Sequence, residues 1–434
     1  MATAPGSVRP DQDNTGGLRG SSDRLAYAGV FALALLVRVL YLLLERPPFD
    51  SDYWALSESL LRDWSLSLDG VRTTAFEPAY PVFLAIGRSL AGHKVLLVQI
   101  IQCAVAACGA IFLYRLAAHL TGTRRVGTIA AVLYAGYPLL VRHSPDATDA
   151  ALMTTLLIAF AAEFVTATTP LRAARAGIWL GLAVLTRTMA LPLVPLAAAI
   201  QAWNGARRPA AALSLSALLV IAPYAVRNYT LNGSMLPTRS GLNLFISNSP
   251  YTASIFPGYG PDILLEYAWS VLESSQRPPE PESPALERTR DAEWTALALQ
   301  EMKRHPLRTA GLKARNVLYF FSPRLVPYHE PTGTTRILLG ENGRFTVENS
   351  PPRRTSHQVL YAVSYTPVLA LAIAGVWLRR RDLRRDAILW CVVVTFVAAH
   401  ALYFPTTRYR VPVEFVLLFY GSVALERWIV RRPR

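Results

Sequence analysis

Asp50 and Asp52 stand directly after the first apolar run, in Pro47-Pro48-Phe49-Asp50-Ser51-Asp52-Tyr53-Trp54. A carboxylate at such a point can take the proton of an acceptor hydroxyl within hydrogen-bond reach. The alternative is a solvated loop end, with Asp52 as N-cap of the helix that follows. The same choice recurs in Arg142-His143-Ser144-Pro145-Asp146-Ala147-Thr148-Asp149. Asp146 and Asp149 share a face if helical. They suit acid/base work, a hard divalent cation, or simple capping of the next helix. Arg187 lies between Thr186 and Thr188 with apolar sequence on both sides. A charge at membrane depth is costly and marks a site by default, and guanidinium forks match phosphate oxygens; snorkelling to the headgroups is the competing explanation. Arg227, in Pro223-Tyr224-Ala225-Val226-Arg227-Asn228-Tyr229, and Arg408 and Arg410, in Thr406-Thr407-Arg408-Tyr409-Arg410-Val411-Pro412, fit phosphate contact and interface anchoring equally well. Lys303, Arg304, Lys313 and Arg315 read as a solvated face.

The elements that must position these groups are membrane helices. Of 434 residues, 52% are hydrophobic and 17% charged, and the mean hydropathy is positive. A bilayer is the solvent that suits so much apolar surface. Ten apolar runs follow one another: Leu25–Leu44, Val95–Leu120, Val126–Val141, Ala147–Thr166, Ala174–Leu185, Met189–Trp203, Ala210–Ala225, Val359–Leu378, Ala387–Phe404 and Pro412–Val430. The fifth and sixth are short and read as half-spans or kinked spans, with Pro192 and Pro195 in the sixth. The first run lacks a cleavage pattern and is expected to be retained.

Net charge is +15, nearly all of it arginine. The clusters Arg115/Arg124/Arg125, Arg172/Arg175, Arg207/Arg208, Arg379–Arg385 and Arg427–Arg434 all fall on the side of both termini if there are ten spans. By the positive-inside rule that side is cytoplasmic, and no nucleic-acid partner is needed to explain the charge. The expected layout is a cytoplasmic tail (1–24), a transmembrane core (25–225) containing a first outer loop (46–94), a large outer segment (226–358), C-terminal spans (359–430) and a tail (431–434). Asp52–Leu66 and Pro81–Leu90 read as interfacial helices, Ala285–Met302 and Leu307–Phe321 as outer helices, and 278–284 as a Pro-rich linker with Glu280 and Glu282. Cys103, Cys108 and Cys391 lie within apolar runs and read as packing residues. Ionisable residues inside the runs are few: Arg38, Glu163, His400 and Glu414. A proton-coupled pump would call for a longer relay.

In their order these segments resemble the bacterial members of the GT-C class of membrane glycosyltransferases in glycosyltransferase family 39, which includes protein O-mannosyltransferases and is similar to the aminoarabinose transferases of lipid A. The pieces that carry the resemblance are Asp50-Ser51-Asp52-Tyr53, Glu77-Pro78-Ala79-Tyr80-Pro81-Val82-Phe83-Leu84, Gln99 and Gln102, Tyr137-Pro138, Asp149, Gly181-Leu182-Ala183-Val184-Leu185-Thr186-Arg187, Pro223 to Tyr229 with Gly233, Gly241-Leu242-Asn243-Leu244 with Asn248, His305-Pro306, and Arg408-Tyr409-Arg410-Val411-Pro412. Asp-Ser-Asp replaces the Asp-Glu pair of the protein mannosyltransferases, Tyr224 replaces a Trp, and the sequence ends soon after the tenth run, which removes one place to look for acceptor specificity.

The resemblance implies an all-α integral membrane protein of GT-C fold, with about ten spans, in a bacterial inner membrane and with its site facing outward. It implies a polyprenyl-phosphate-linked sugar as donor, a lipid, glycan or protein as acceptor, and inverting transfer. Asp50 would be the base with Asp52 as second choice, and Asp149 with Asp146 would orient acceptor or base, or bind a divalent metal. Arg187, Arg227, Arg408 and Arg410 would meet the donor phosphate, and Tyr53 and Glu77 the acceptor. A transporter or flippase of lipid-linked sugars is the alternative, and a scaffold or a ligase using a lipid diphosphate the third.

Overall fold

Long stretches rich in Leu, Ala and Val have one way to satisfy their backbone in hydrocarbon, and that is to wind into helices. The computed structural model describes residues 21–272, 283–326, 336–339, 345–348, 355–404 and 406–431. The expected tails at residues 1–20 and 432–434, and the linker up to residue 282 with Glu280, lie outside them, as does Glu282.

The chain opens with α1 (Ser21–Glu45), α2 (Asp52–Asp63), the hairpin β1 (Ser67–Leu68) and β2 (Val71–Arg72), and α3 (Ala79–Ala91). Next come α4 (Val95–Thr121), α5 (Arg124–Gly136), α6 (Pro138–Arg142), α7 (Ala150–Val165), α8 (Pro170–Thr186), α9 (Leu193–Trp203) and α10 (Arg207–Asn232). The outer segment contributes α11 (Ser240–Asn248), α12 (Thr252–Ile255), α13 (Leu265–Ser270), α14 (Pro284–Arg304), α15 (Pro306–Phe320) and the antiparallel hairpin β3 (Arg336–Leu339) and β4 (Phe345–Glu348). The chain closes with α16 (Thr355–Leu378), α17 (Ala387–Leu402), α18 (Thr407–Arg410) and α19 (Glu414–Arg431).

Among the described residues four helices are long and apolar enough to cross a membrane: Arg24–Glu45, Val95–Thr121, Arg207–Asn232 and Ser356–Leu378. Ala79–Ala91, Ala150–Val165, Thr188–Trp203 and Ala387–Leu402 are apolar but shorter. Each of the ten apolar runs falls on a helix, with three differences of form. The fifth run grows into the 17-residue α8, and the sixth shrinks to the 11-residue α9 behind a 3-10 turn at Thr188–Ala190.

The third run breaks at Tyr137. Pro138 has no N–H for the Tyr134 carbonyl one turn back. Arg38, fully buried in α1, fills the gap by donating to the carbonyls of Tyr134 and Ala135 and to Ser144 Oγ. The guanidinium thus faces the bundle interior.

α8 lies against α10 through Gly177 and Gly181, four residues apart. A Cβ on Gly177 would meet the Leu213 carbonyl, and one on Gly181 the Ala217 carbonyl and Val220. Such small-residue faces let helices approach in the absence of a hydrophobic drive between them. Gly181→Leu is expected to cost about 1–3 kcal/mol by overpacking, read as a lower thermal unfolding temperature of the detergent-solubilised protein.

At the arginine-rich end, buried Glu163 of α7 is held by Arg115 of α4 at 3.0 Å and Arg175 of α8 at 3.2 Å. At the other end the first outer loop and the outer segment meet on one carboxylate. Glu287 of α14 accepts from Thr73 Oγ1 at 2.5 Å, the Thr74 amide at 2.8 Å and Thr238 Oγ1 at 3.2 Å.

On α15, Lys313 donates to the Leu402 carbonyl at 2.6 Å, and burial pushes its ammonium down to about 8. The unfolded chain therefore binds more protons than the fold from about pH 8 up to the ordinary lysine range. Stability is expected to rise with pH across that window. Unfolding curves of wild type and Lys313→Met against pH check this, the variant losing the rise.

Candidate functional site

Two glutamines one turn apart on α4 bring distant loops together. Gln99 Nε2 donates to the Pro47 carbonyl at 3.3 Å and to the Pro145 carbonyl at 3.2 Å. Gln102 Nε2 donates to Ser144 and Asp146 carbonyls at 2.6 and 2.7 Å, while its oxygen accepts from Tyr80 at 2.8 Å. The loop after α1 and the loop before α7 are thereby fixed side by side, and both carry carboxylates.

The cavity they border has a volume of about 570 Å³. Asp50, Asp52, Tyr53, Glu77, Asp146, Arg187 and Arg408 all line it. Seven of the ten sequence-derived candidates are therefore gathered in one space, from segments more than 350 residues apart in the chain.

Asp50 and Asp52 are exposed. Asp52 is the first residue of α2 and not its cap; Ser51 holds the cap position without a side-chain hydrogen bond. Tyr53 packs edge-on against Phe76 and Tyr80, with ring centroids at 5.6 and 5.1 Å. The half-buried Glu77 accepts the Thr188 amide at 2.9 Å. Burial pushes its carboxyl up, against the pull of that amide and of Arg187. Asp146 sits 3.0 Å from His143 Nδ1.

Asp149 is 1% exposed and at the N-cap of α7, yet makes no cap bond. Its oxygens take Arg187 Nε at 2.8 Å, Arg187 Nη2 at 2.7 Å and Arg408 Nη2 at 3.1 Å. Burial would raise this carboxyl, but the two guanidiniums outweigh it and hold it below the usual carboxylate range. The face of Arg187 stacks on Tyr409 at 4.2 Å. Two arginines from chain positions 221 apart are thus locked, by one buried counter-ion and one ring, at the wall of the cavity.

The remaining two arginines sit elsewhere. Arg227 donates to the carbonyls of Thr73 and Leu66 at 2.8 and 3.3 Å, and so pins the turn around β1–β2. Arg410 is buried against Glu414 at 2.6 Å, the Phe320 carbonyl at 2.6 Å and the ring of Tyr365 at 4.0 Å. Neither lines the cavity.

Guanidinium groups take both oxygens of Asp149. Among the described residues no group of three or more His, Cys, Asp or Glu is placed to hold a metal ion.

Arg239, Tyr409 and His400 also line the cavity. Tyr409 is visible in sequence only as an anchor beside two arginines, and Arg239 carries no local signal. His400 stands out as an ionisable residue in an apolar run. Its Nδ1 donates to the Phe396 carbonyl at 2.5 Å, which leaves Nε2 as a buried acceptor with no hydrogen-bond partner among the described residues.

Residues 76–226 match the family of dolichyl-phosphate-mannose-protein mannosyltransferases. That stretch contains Glu77, Asp146, Asp149 and Arg187. No curated protein matches the chain. Among solved structures, the Archaeoglobus fulgidus oligosaccharyltransferase tethered to an acceptor peptide aligns at 14% identity and TM-score 0.52, over 93% of this chain and 50% of its own. The chain thus spans half the length of that protein. ArnT from Cupriavidus metallidurans bound to undecaprenyl phosphate aligns at 16% identity and TM-score 0.41, over 94% of this chain and 79% of its own. The arabinosyltransferase EmbB from Mycobacterium smegmatis aligns at 13% identity and TM-score 0.35, over 98% of this chain and 43% of its own. Over residues 76–226 the chain is similar to that mannosyltransferase family, and its fold is similar to that of the oligosaccharyltransferase.

Proposed function

We propose that the protein transfers a sugar from a polyprenyl-phosphate donor to an acceptor hydroxyl at the outer face of the membrane, with inversion. The observation that carries this reading is that one cavity holds exposed carboxylates, Asp50 and Asp52, together with the Asp149-locked pair Arg187 and Arg408. In the transfer step the acceptor O–H gives its proton to Asp50 and its oxygen bonds to the anomeric carbon. The bond from that carbon to the phosphate oxygen breaks as this happens, and the lipid phosphate leaves as an anion. Arg187 and Arg408 meet the charge that develops on that phosphate. With the leaving group already an acid anion, no separate general acid is required. Arg187 spends Nε and Nη2 on Asp149, so Nη1 is the edge it turns to a ligand. Glu77 and Asp146 orient the acceptor, and Tyr53 gives its platform.

The positive-inside rule supports cytoplasmic termini, with the cavity on the opposite side. The test is turnover of a radiolabelled polyprenyl-phosphate sugar by the purified protein in detergent, with product anomeric configuration read by NMR. Turnover without a membrane gradient separates this reading from a flippase; absence of turnover with every donor and acceptor class sinks it.

Arg408→Gln is expected to raise the donor KM about tenfold to a hundredfold, in line with losing a charge-assisted contact. Arg227→Gln should leave that KM within about twofold and lower thermal stability instead, because its bonds go to backbone carbonyls. Steady-state kinetics and melting curves on the two variants check the contrast.

A further inference from the structure

A second cavity, of about 930 Å³, opens at the other end of the same bundle. It is formed by the ends of α4, α7 and α9 and the start of α17. Its apolar part includes Phe164, Val165 and Ile200, and its rim carries Arg381, Arg384 and Arg385.

The charge there is unbalanced. Asp386 is taken by Arg379 at 2.7 Å, and Asp382 faces the same Arg379 at 3.8 Å. Arg381, Arg384 and Arg385 have no ion pair among the described residues and are exposed. A loop that only followed the positive-inside rule would need no concave floor beneath its charges. Here three guanidiniums stand at a pit between helix ends whose lining is part apolar (Phe164, Val165, Ile200) and part polar (Thr168, Gln201, Asn204). Trp203 of α9 and Trp377 of α16, 81% and 66% exposed, are the kind of aromatic that sits at headgroup level.

We propose that this cavity binds the phosphodiester headgroup of an anionic phospholipid. The three arginines clasp the phosphate, and the first carbons of the acyl chains rest on Phe164, Val165 and Ile200. Basic pockets between spans are suited to such headgroups. The site is independent of the sugar-transfer reading, and a failure of one leaves the other standing.

Native mass spectrometry of the full chain in detergent tests it, with phosphatidylglycerol and phosphatidylcholine of matched acyl chains as probes. The wild type is expected to retain one phosphatidylglycerol at lipid concentrations at least tenfold below those needed for phosphatidylcholine. Each arginine changed to Gln should cut that preference about fivefold, so Arg384→Gln alone reads the effect if the triple variant folds poorly. Arg124→Gln/Arg125→Gln, at the start of α5 and not in the cavity lining, should keep the preference. Equal loss in that control would show diffuse surface charge and overturn the proposal. So would equal retention of the two lipids, or displacement of phosphatidylglycerol by millimolar inorganic phosphate, which would mark a soluble-anion site.

Discussion

Asp50→Asn is expected to slow sugar transfer by about a hundredfold to ten-thousandfold, the range a positioned base contributes, with folded yield and melting temperature unchanged. The side chain is exposed to the cavity, so the amide that replaces it keeps the shape and loses only the proton acceptor. Asp52→Asn tests the second carboxylate. With Asp50 as base, its loss should be about tenfold or less in kcat, with the remainder in the acceptor KM. Single-turnover rates with bound donor separate the two. Full activity in Asp50→Asn would remove that residue from the mechanism, and a reversed order would hand the role to Asp52.

The second large effect is expected at Asp149. It is 1% exposed and serves two guanidiniums at 2.7 and 3.1 Å. Asp149→Ala takes from the partly buried Arg187 and Arg408 the carboxylate they share, and breaking a largely buried pair in this way costs about 3–5 kcal/mol. The apo variant should unfold at clearly lower temperature. Polyprenyl phosphate, the expected leaving product, can supply the missing negative charge. It should therefore raise the melting temperature of Asp149→Ala more than that of wild type. Equal shifts in the two proteins would show that the lipid phosphate does not reach these arginines.

The sequence exposes Asp149 and Arg187 as separate local features, 38 residues apart. Their pairing is a fact of tertiary structure, set by α7 and α8 running side by side. Arg187 and Arg227 look alike in the chain, each at or near a helix C-terminus. What separates them is which carbonyls stand nearby, and β1–β2 supplies those for Arg227. Helix placement was legible because hydrocarbon leaves the backbone few choices. The broken third run and the lengthened α8 were less so, since a hydropathy pattern does not register where a helix continues beyond its apolar stretch. Gln99 and Gln102 appeared only as matched positions; that they hold two loops together requires knowing where those loops run. Short α11, α12 and α13 carry no periodic signal long enough to read.

The interruption at Pro138 has a corollary for substitution patterns. Arg38 does for the Tyr134 and Ala135 carbonyls what the next turn of helix would otherwise do, so positions 38 and 138 answer to each other. A chain whose residue 138 regained an amide proton and wound straight on would free the guanidinium, leaving an unpaid charge in hydrocarbon. One with Pro138 but an aliphatic residue at 38 would leave bare oxygens there. Related sequences should therefore change both positions together or neither.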